Sequence, residues 1–100
     1  MNKTILMGRL TREPEMFGQK TKVARFTLAV DRSYGEDETD FFNCVSFGKQ
    51  AEFVEKYLNK GTKVLITGRL QNNRYEDKQG QKVTATQIIT EEVEFCESKK

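Results

Sequence analysis

The sequence has 100 residues, of which 36% are hydrophobic and 32% are charged. This length predicts one compact domain over residues 1–100, and the composition excludes both a disordered chain and an apolar run long enough to span a membrane. The formal net charge of +2 is far below the strong basicity that would indicate a nucleic-acid partner by itself.

The region before the helix predicts three strands. Lys3–Leu10 is rich in Ile, Leu and Met and ends at a polar stretch around Pro14, the single proline. Val23–Asp31 alternates cleanly, which places one set of side chains on a buried face: Ala24, Phe26, Leu28 and Val30. The acidic segment 33–40 predicts a hairpin loop, and Phe41–Phe47 resumes as a third strand.

A helix and two further strands complete the predicted order. Ala51, Val54 and Leu58 recur at three- and four-residue steps from Lys49 onward, and Gly61 stands where a left-handed helix cap is usual. Strands follow at Thr62–Leu70 and from Lys82 to about Phe95; the first of these has one apolar face, Val64, Ile66 and Leu70. The order β-β-β-α-β-β predicts an all-β protein with the OB-fold, a five-stranded Greek-key barrel whose helix lies between the third and fourth strands.

The charged residues are unevenly spread along the chain. Outside Glu36–Asp40 and Glu91–Lys100, 15 basic residues face 7 acidic ones. This surplus predicts a cationic face on the surface of the protein.

The sequence argues against catalysis, because it contains no histidine, the usual side chain for acid–base and metal-ligand chemistry near neutral pH. Adjacent acids such as Glu91 and Glu92 are more simply solvated charge. Cys44 and Cys96 lack metal-ligand spacing and are interpreted as inert thiols in a reducing compartment. We therefore predict no catalytic residue, cofactor or metal, and the absence of a secretory signal at the N-terminus favours the cytoplasm.

Aromatic residues beside cations are the feature that points to a binding function. Unpaired nucleobases stack on exposed rings while Lys or Arg contacts the phosphates. By the period of two, Phe41, Asn43 and Phe47 share one face of the third strand. Burial of the phenylalanines in the core stays open as the alternative, because phenylalanine is among the most buried residue types. The candidate stacking rings are Tyr34, Phe41, Phe47 and Tyr75.

Nearly the whole chain resembles the bacterial single-stranded DNA-binding proteins, the SSB family. No single segment is decisive, but the matching segments follow one another in the family's order. They are Asn2–Lys3, Gly8–Glu15, Phe26–Val30, Asp40–Lys49, Ala51–Glu52, Tyr57–Gly61, Gly68–Leu70, Arg74–Tyr75 and Gln79–Gln81.

The resemblance implies an OB-fold that assembles as a homotetramer, wraps single-stranded DNA and serves replication, recombination and repair. The four rings named above fall at the family's stacking positions. Positions that contact phosphates are Lys3, Lys49, Lys60 and Arg74, with Asn43 and Arg69 as weaker candidates. Lys56 and Lys63 are better interpreted as solvated surface charge.

The sequence departs from the family pattern in two respects. It has no tryptophan at the stacking positions, so each stacking ring has less area. The sequence stops at Lys100, before the linker and the acidic tip that recruits replication and repair proteins in the family. Either this tail is missing from the sequence or the natural protein is a short form, and replication and repair proteins stay open as partners. Two alternatives stay open: an OB-fold adaptor of the primosomal type that acts through protein contacts, and RNA binding, because stacking does not distinguish the two sugars.

Overall fold

The computed structural model describes residues 1–18, 20–32 and 38–96, except for the side chain of Tyr75. Six strands and one helix are formed in this part of the chain. They are β1 (Thr4–Leu10), β2 (Glu15–Phe17), β3 (Val23–Asp31), β4 (Thr39–Phe47), α1 (Lys49–Tyr57), β5 (Lys63–Glu76) and β6 (Lys82–Phe95). No helix among these residues is long and apolar enough to cross a membrane.

Five of the strands close into a barrel in the order β1-β5-β6-β4-β3. The ring is completed where Arg9 and Leu10 of β1 pair with Ala29 and Leu28 of β3. β4 and β6 pair in parallel, and the other pairs of strands in the ring are antiparallel. α1 joins β4 to β5. A five-stranded barrel with one helix at this point is the OB-fold, which confirms the prediction.

The barrel core is apolar and receives side chains from the strands and from α1. Leu28, Ile66 and Ile88 are almost fully buried. Val54 of α1 and Leu58, the residue after α1, pack into the same cluster. The period of two in β3 therefore predicted its inner face correctly. Burying each of the large aliphatic side chains contributes about 1.5–3 kcal/mol, so these contacts hold the helix against the barrel.

A short chain of hydroxyl and amide groups links β4, β6 and α1 inside the apolar core. The hydroxyl of Ser46 lies 2.6 Å from that of Thr90, and Thr90 donates a 2.7 Å hydrogen bond to Oε1 of Gln50. Because the Thr90 proton goes to Gln50, Ser46 is the donor to Thr90. Each buried side-chain polar atom in the described part of the chain has a partner, which avoids the cost of desolvating an unpaired group.

Some details of the strands differ from the sequence-based expectation. β2 was not predicted, because three residues after Pro14 are too few to show a period. β5 continues to Glu76, so Leu70 lies beyond the buried section and is 46% exposed, although it was predicted on the apolar face. The pairing of β5 with β1 ends at Gly68, so β1 does not cover Leu70 on that side.

Gly61 does not cap the helix, contrary to the prediction. α1 ends at Tyr57, and Leu58 is already extended, with φ −104° and ψ 131°. Gly61 lies three residues later in the turn before β5, with φ +88°, and its N–H donates to the carbonyl of Leu10 at 2.8 Å. Gly61 therefore adopts the expected left-handed conformation, but in the turn that joins the loop after α1 to the end of β1 and not as a helix cap.

Gly68 marks a close approach of β5 and β6. The register shifts between Thr67 and Gly68, and Glu91 is left as an extra residue in β6. A Cβ atom on Gly68 would overlap the carbonyl oxygen of Ile89. Glycine is therefore required at this bulge, where the barrel bends before the hairpin leaves it.

Candidate nucleic-acid interface

The outer face of β4 presents two phenylalanine rings to solvent. Phe41 is 65% exposed and Phe47 is 47% exposed, whereas Cys44 and Ser46 of the same strand point into the core. The alternative that Phe41 and Phe47 belong to the core is therefore wrong. The two residues are six positions apart, which at about 3.3 Å per residue places their Cα atoms about 20 Å apart along the strand.

Between the two rings, this face of β4 carries Asn43 and the buried Val45, and both pair with β3. Asn43 lies opposite Thr27, and the Thr27 hydroxyl donates a 3.2 Å hydrogen bond to Oδ1 of Asn43. This bond leaves the amide N–H groups of Asn43, which is exposed, to act as donors toward solvent or a ligand. The sequence predicted Asn43 as a weaker candidate for contact with nucleic acid, and that contact stays a prediction.

A groove of about 440 Å³ runs beside the middle of β4. Its walls are the segment after β1, the outer faces of β3 and β4, and the base of the β5–β6 hairpin. The lining residues are Arg12, Glu13, Glu15, Arg25, Phe26, Thr27, Asn43, Cys44, Val45, Asn73, Ala85 and Gln87. OB-folds bind oligonucleotides on this sheet face and on the loops that flank it.

The groove has a mixed charge. Arg12 and Arg25 supply two cations, and Glu13 and Glu15 supply two carboxylates. Arg25 lies directly opposite Glu15 in the β2–β3 pair and opposite Val45 in the β3–β4 pair. A phosphate that approaches Arg25 therefore meets repulsion from Glu15 as well as attraction from the guanidinium.

The predicted phosphate-contacting side chains are exposed but differ in their partners. Lys3 pairs with Glu91, with 3.3 Å between Nζ and Oε1. The Lys60 backbone N–H donates a 3.3 Å hydrogen bond to Glu13, which connects the turn after α1 to the groove wall. The remaining three, for which the structure shows exposure and no ion pair with a described residue, are Lys49, Arg69 and Arg74.

Arg32, at the end of β3, is held by carboxylates. Its Nε and Nη2 atoms donate to the two oxygens of Asp40 at 3.0 and 2.9 Å, and Nη1 donates to Glu38. The hydrogen bond and charge of Asp40 raise the pKa of Arg32, and the hydrogen bond from Arg32 lowers the pKa of the Asp40 carboxyl. Arg32 is therefore engaged in closing the base of the β3–β4 connection.

Two of the four predicted stacking rings lie outside the described part of the chain. Tyr34 falls in the segment 33–37 between β3 and β4. The backbone of Tyr75 lies in β5 opposite Val83, but its side chain is outside the description. Their roles stay predictions.

Sequence reasoning missed two groups that the structure places beside the predicted site. Phe17 of β2 is 47% exposed, and the guanidinium carbon of Arg25 lies 5.3 Å from the centroid of its ring. Arg12 lines the groove. The signal for Phe17 was weak, because a single aromatic residue before a glycine shows no strand period.

A second aromatic cluster lies on α1, away from β4. The ring of Phe53 lies 5.1 Å from that of Tyr57 and 5.6 Å from that of Phe95, centroid to centroid. Phe53 also packs against the core. These contacts attach α1 to the end of β6, so the cluster has a structural role.

Comparison with known proteins gives concordant matches. The family model described as the single-strand binding protein family matches residues 1–96. The chain is 49% identical to Single-stranded DNA-binding protein 1 of Staphylococcus aureus strain Mu50, over 99% of the chain and 67% of that protein. It is 48% identical to the Single-stranded DNA-binding protein of Fusobacterium nucleatum, over 99% of the chain and 69% of that protein. The corresponding Clostridium perfringens protein is 41% identical over 98% of the chain and 67% of its own length.

Proposed function

The chain belongs to the single-strand binding protein family, and we propose that it binds single-stranded DNA with little regard to sequence. It protects unpaired strands during replication, recombination and repair and performs no catalysis. Bases stack on Phe41 and Phe47, and on Tyr34 and Tyr75. Asn43 is a polar contact. The cationic side chains that contact phosphates are Lys3, Lys49, Lys60, Arg69 and Arg74.

The observation that carries this proposal is the exposure of Phe41 and Phe47 on one face of one strand. Exposing a large ring to water costs the free energy that its burial would contribute, so two such rings on a well-packed barrel call for a ligand. Nucleobases suit them, because each base has a flat π-face, and stacking of this kind is tolerant of sequence.

Binding is tested with a fluorescently labelled oligo-dT, measured by anisotropy against a duplex and an RNA oligomer of matched length. We expect tight binding to oligo-dT, much weaker binding to duplex, and affinity that falls as salt rises because counterions are released from the phosphates. Affinity for oligo-dT no better than for duplex at low salt would overturn the proposal. The comparison with the RNA oligomer shows whether the chain prefers DNA or RNA.

The adaptor alternative makes a different prediction about the rings. A barrel that acts through protein contacts has no need of exposed stacking groups, and its alanine variants at Phe41 and Phe47 would bind DNA normally. The exposure of both rings favours DNA. Contacts with replication and repair proteins in the cytoplasm are proposed in addition to DNA binding and rest on family membership.

We also propose assembly into a homotetramer, supported by the state of β1. Ile5 and Met7 are exposed on its outer face, and Leu65 of β5 lies opposite Met7. β5 pairs with one edge of β1 from Thr4 to Arg9, whereas β3 pairs with the opposite edge only at Arg9 and Leu10, so that opposite edge is open over the first residues of β1. An apolar face beside an open strand edge suits pairing with a second copy.

Assembly also serves the function, because one OB-fold covers only about 4–16 nucleotides, and longer strands need several copies. Light scattering of the wild-type chain should give the mass of four chains. Met7→Lys should yield smaller species. A monomeric wild-type chain at micromolar concentration would refute the tetramer and leave DNA binding by the single barrel untouched.

A further inference from the structure

A third exposed phenylalanine continues the row of rings sideways from β4. Phe17 of β2 lies opposite Val23 of β3, and Val23 lies opposite Phe47 of β4. Directly opposite residues in antiparallel strands project to the same face of the sheet, so the three side chains form one row across three strands. Two strand spacings place Phe17 and Phe47 about 10 Å apart.

Phe17 is 47% exposed and is held by a cation. The guanidinium carbon of Arg25 lies 5.3 Å from its ring centroid, within the range of a cation–π contact. Arg25 forms no ion pair with a described carboxylate, although Glu15 is its cross-strand neighbour. The contact leaves Arg25 with N–H donors for another ligand and favours the observed orientation of the ring.

We propose that Phe17 and Arg25 form an additional binding subsite for single-stranded DNA, in which a nucleobase stacks on the open side of the Phe17 ring and Arg25 contacts an adjoining phosphate. The inference rests on the proposed function, since it extends the same interface. A ring that is already oriented loses little conformational freedom when a base stacks on it, and the neighbouring guanidinium supplies charge complementary to the backbone.

The subsite sets the path of the bound strand. From Phe41 the strand follows β4 to Phe47, and it then crosses β3 toward β2 and the segment between β1 and β3. Arg12 and Arg25 lie along this turn on the groove wall. The strand register, which sets Phe17 beside Phe47 across Val23, therefore favours the turn toward β2.

The absence of tryptophan from the chain permits a direct optical test. Single variants Phe17→Trp, Phe41→Trp and Tyr57→Trp each introduce one fluorophore, and each is titrated with oligo-dT while binding is followed by anisotropy of the labelled DNA. We expect quenching at positions 17 and 41 at the same DNA equivalents. Position 57, on the α1 cluster, should show no quenching.

The outcomes separate the two levels of the proposal. If DNA binds and quenches position 41 but leaves position 17 unchanged, the subsite is wrong and the proposed function stands. If no variant and no wild-type chain binds oligo-dT, the proposed function itself is wrong.

A second measurement tests the contribution of the ring. Phe17→Leu keeps an apolar side chain against the sheet but removes the stacking surface, and it should weaken binding to long oligo-dT by about fivefold or more, the lower end of the range for loss of one stacked base. Tyr57→Leu is the matched control and should bind as the wild type does. Unchanged affinity of Phe17→Leu, with an unchanged melting temperature, would overturn the subsite.

Discussion

The ammonium group of Lys3 lies 3.3 Å from the carboxylate of Glu91, and both side chains are exposed. This pair joins the start of β1 to β6 and occupies a cation that is predicted to contact phosphate. A phosphate must therefore compete with Glu91 for Lys3.

Removing the competing carboxylate should strengthen DNA binding. An exposed pair contributes about 0.2–1 kcal/mol, so Glu91→Gln should tighten the affinity for oligo-dT by up to about fivefold at low salt. The gain should shrink at high salt because exposed charges are screened. Anisotropy titrations at two salt concentrations measure it, with Glu52→Gln on α1 as the control. An equal gain in the control would show a general charge effect instead.

Loss of a stacking ring should weaken binding at every salt concentration. Phe47→Leu removes the ring but keeps an apolar side chain opposite Val23. For OB-folds that bind single strands, this family included, each stacked base is worth about 1–3 kcal/mol, which corresponds to roughly 5–150-fold in affinity. The same titrations at low and high salt measure the loss. If the deficit disappeared at high salt, the ring would not be stacking.

Lys49 should contribute to the salt dependence of binding and not to stacking. It begins α1 two residues after Phe47 and is exposed. Lys49→Gln should reduce the slope of log affinity against log salt by about 0.7, the value for one phosphate contact on a single strand. Lys56→Gln is the control. The Lys56 ammonium lies 5.7 Å from the ring of Tyr57, in the aromatic cluster on α1 that is away from β4. Equal slopes for wild type and Lys49→Gln would remove Lys49 from the site.

A methyl group at the β5–β6 bulge should destabilise the barrel. Gly68→Ala places a Cβ against the carbonyl oxygen of Ile89, and overpacking of this kind costs about 1–3 kcal/mol. Urea unfolding measures the loss. Gly80→Asn is the comparison variant, because Gly80 has φ +80° with open space around it, and asparagine tolerates that conformation. A Gly68→Ala variant as stable as the wild type would mean that the strands separate at little cost.

The thiol of Cys44 should make stability fall at high pH. Cys44 is 1% exposed, and burial raises its pKa to about 12. Above about pH 9 the unfolded state loses this proton while the folded state keeps it, so the free energy of unfolding falls as pH rises toward 12, by at most about 1.4 kcal/mol per pH unit. Urea unfolding at several pH values measures the slope. Cys44→Ala should show a shallower decline, and identical slopes would contradict the assignment.

Local patterns in the sequence were sufficient for most of the fold. The alternation in β3 identified Ala24, Phe26 and Leu28 as core, and the three- and four-residue steps of Ala51 and Val54 identified α1. These signals are readable because each buried face repeats with the period of its own strand or helix. Alternation alone did not show that Leu70 is exposed, because a strand keeps its alternation beyond the point where its neighbour β1 ends.

The candidate site was only partly predictable for the same reason. Placing Phe41 and Phe47 on one face follows from the period of two, but whether that face is core or surface depends on what packs against it. Phe17 and Arg25 come near Phe47 through the register of β2, β3 and β4. That register is a long-range property of the chain, and no local period encodes it.

The sequence by itself determined the strand and helix order, the inner face of β3, the types of residue available for binding and the resemblance to a family. Tertiary structure alone decided which rings meet water, which cations are already paired with carboxylates, and which side chains from separate strands lie side by side. The physical reason is that alternation is a property of one strand, whereas exposure and ion pairing depend on neighbours brought together only when the barrel closes.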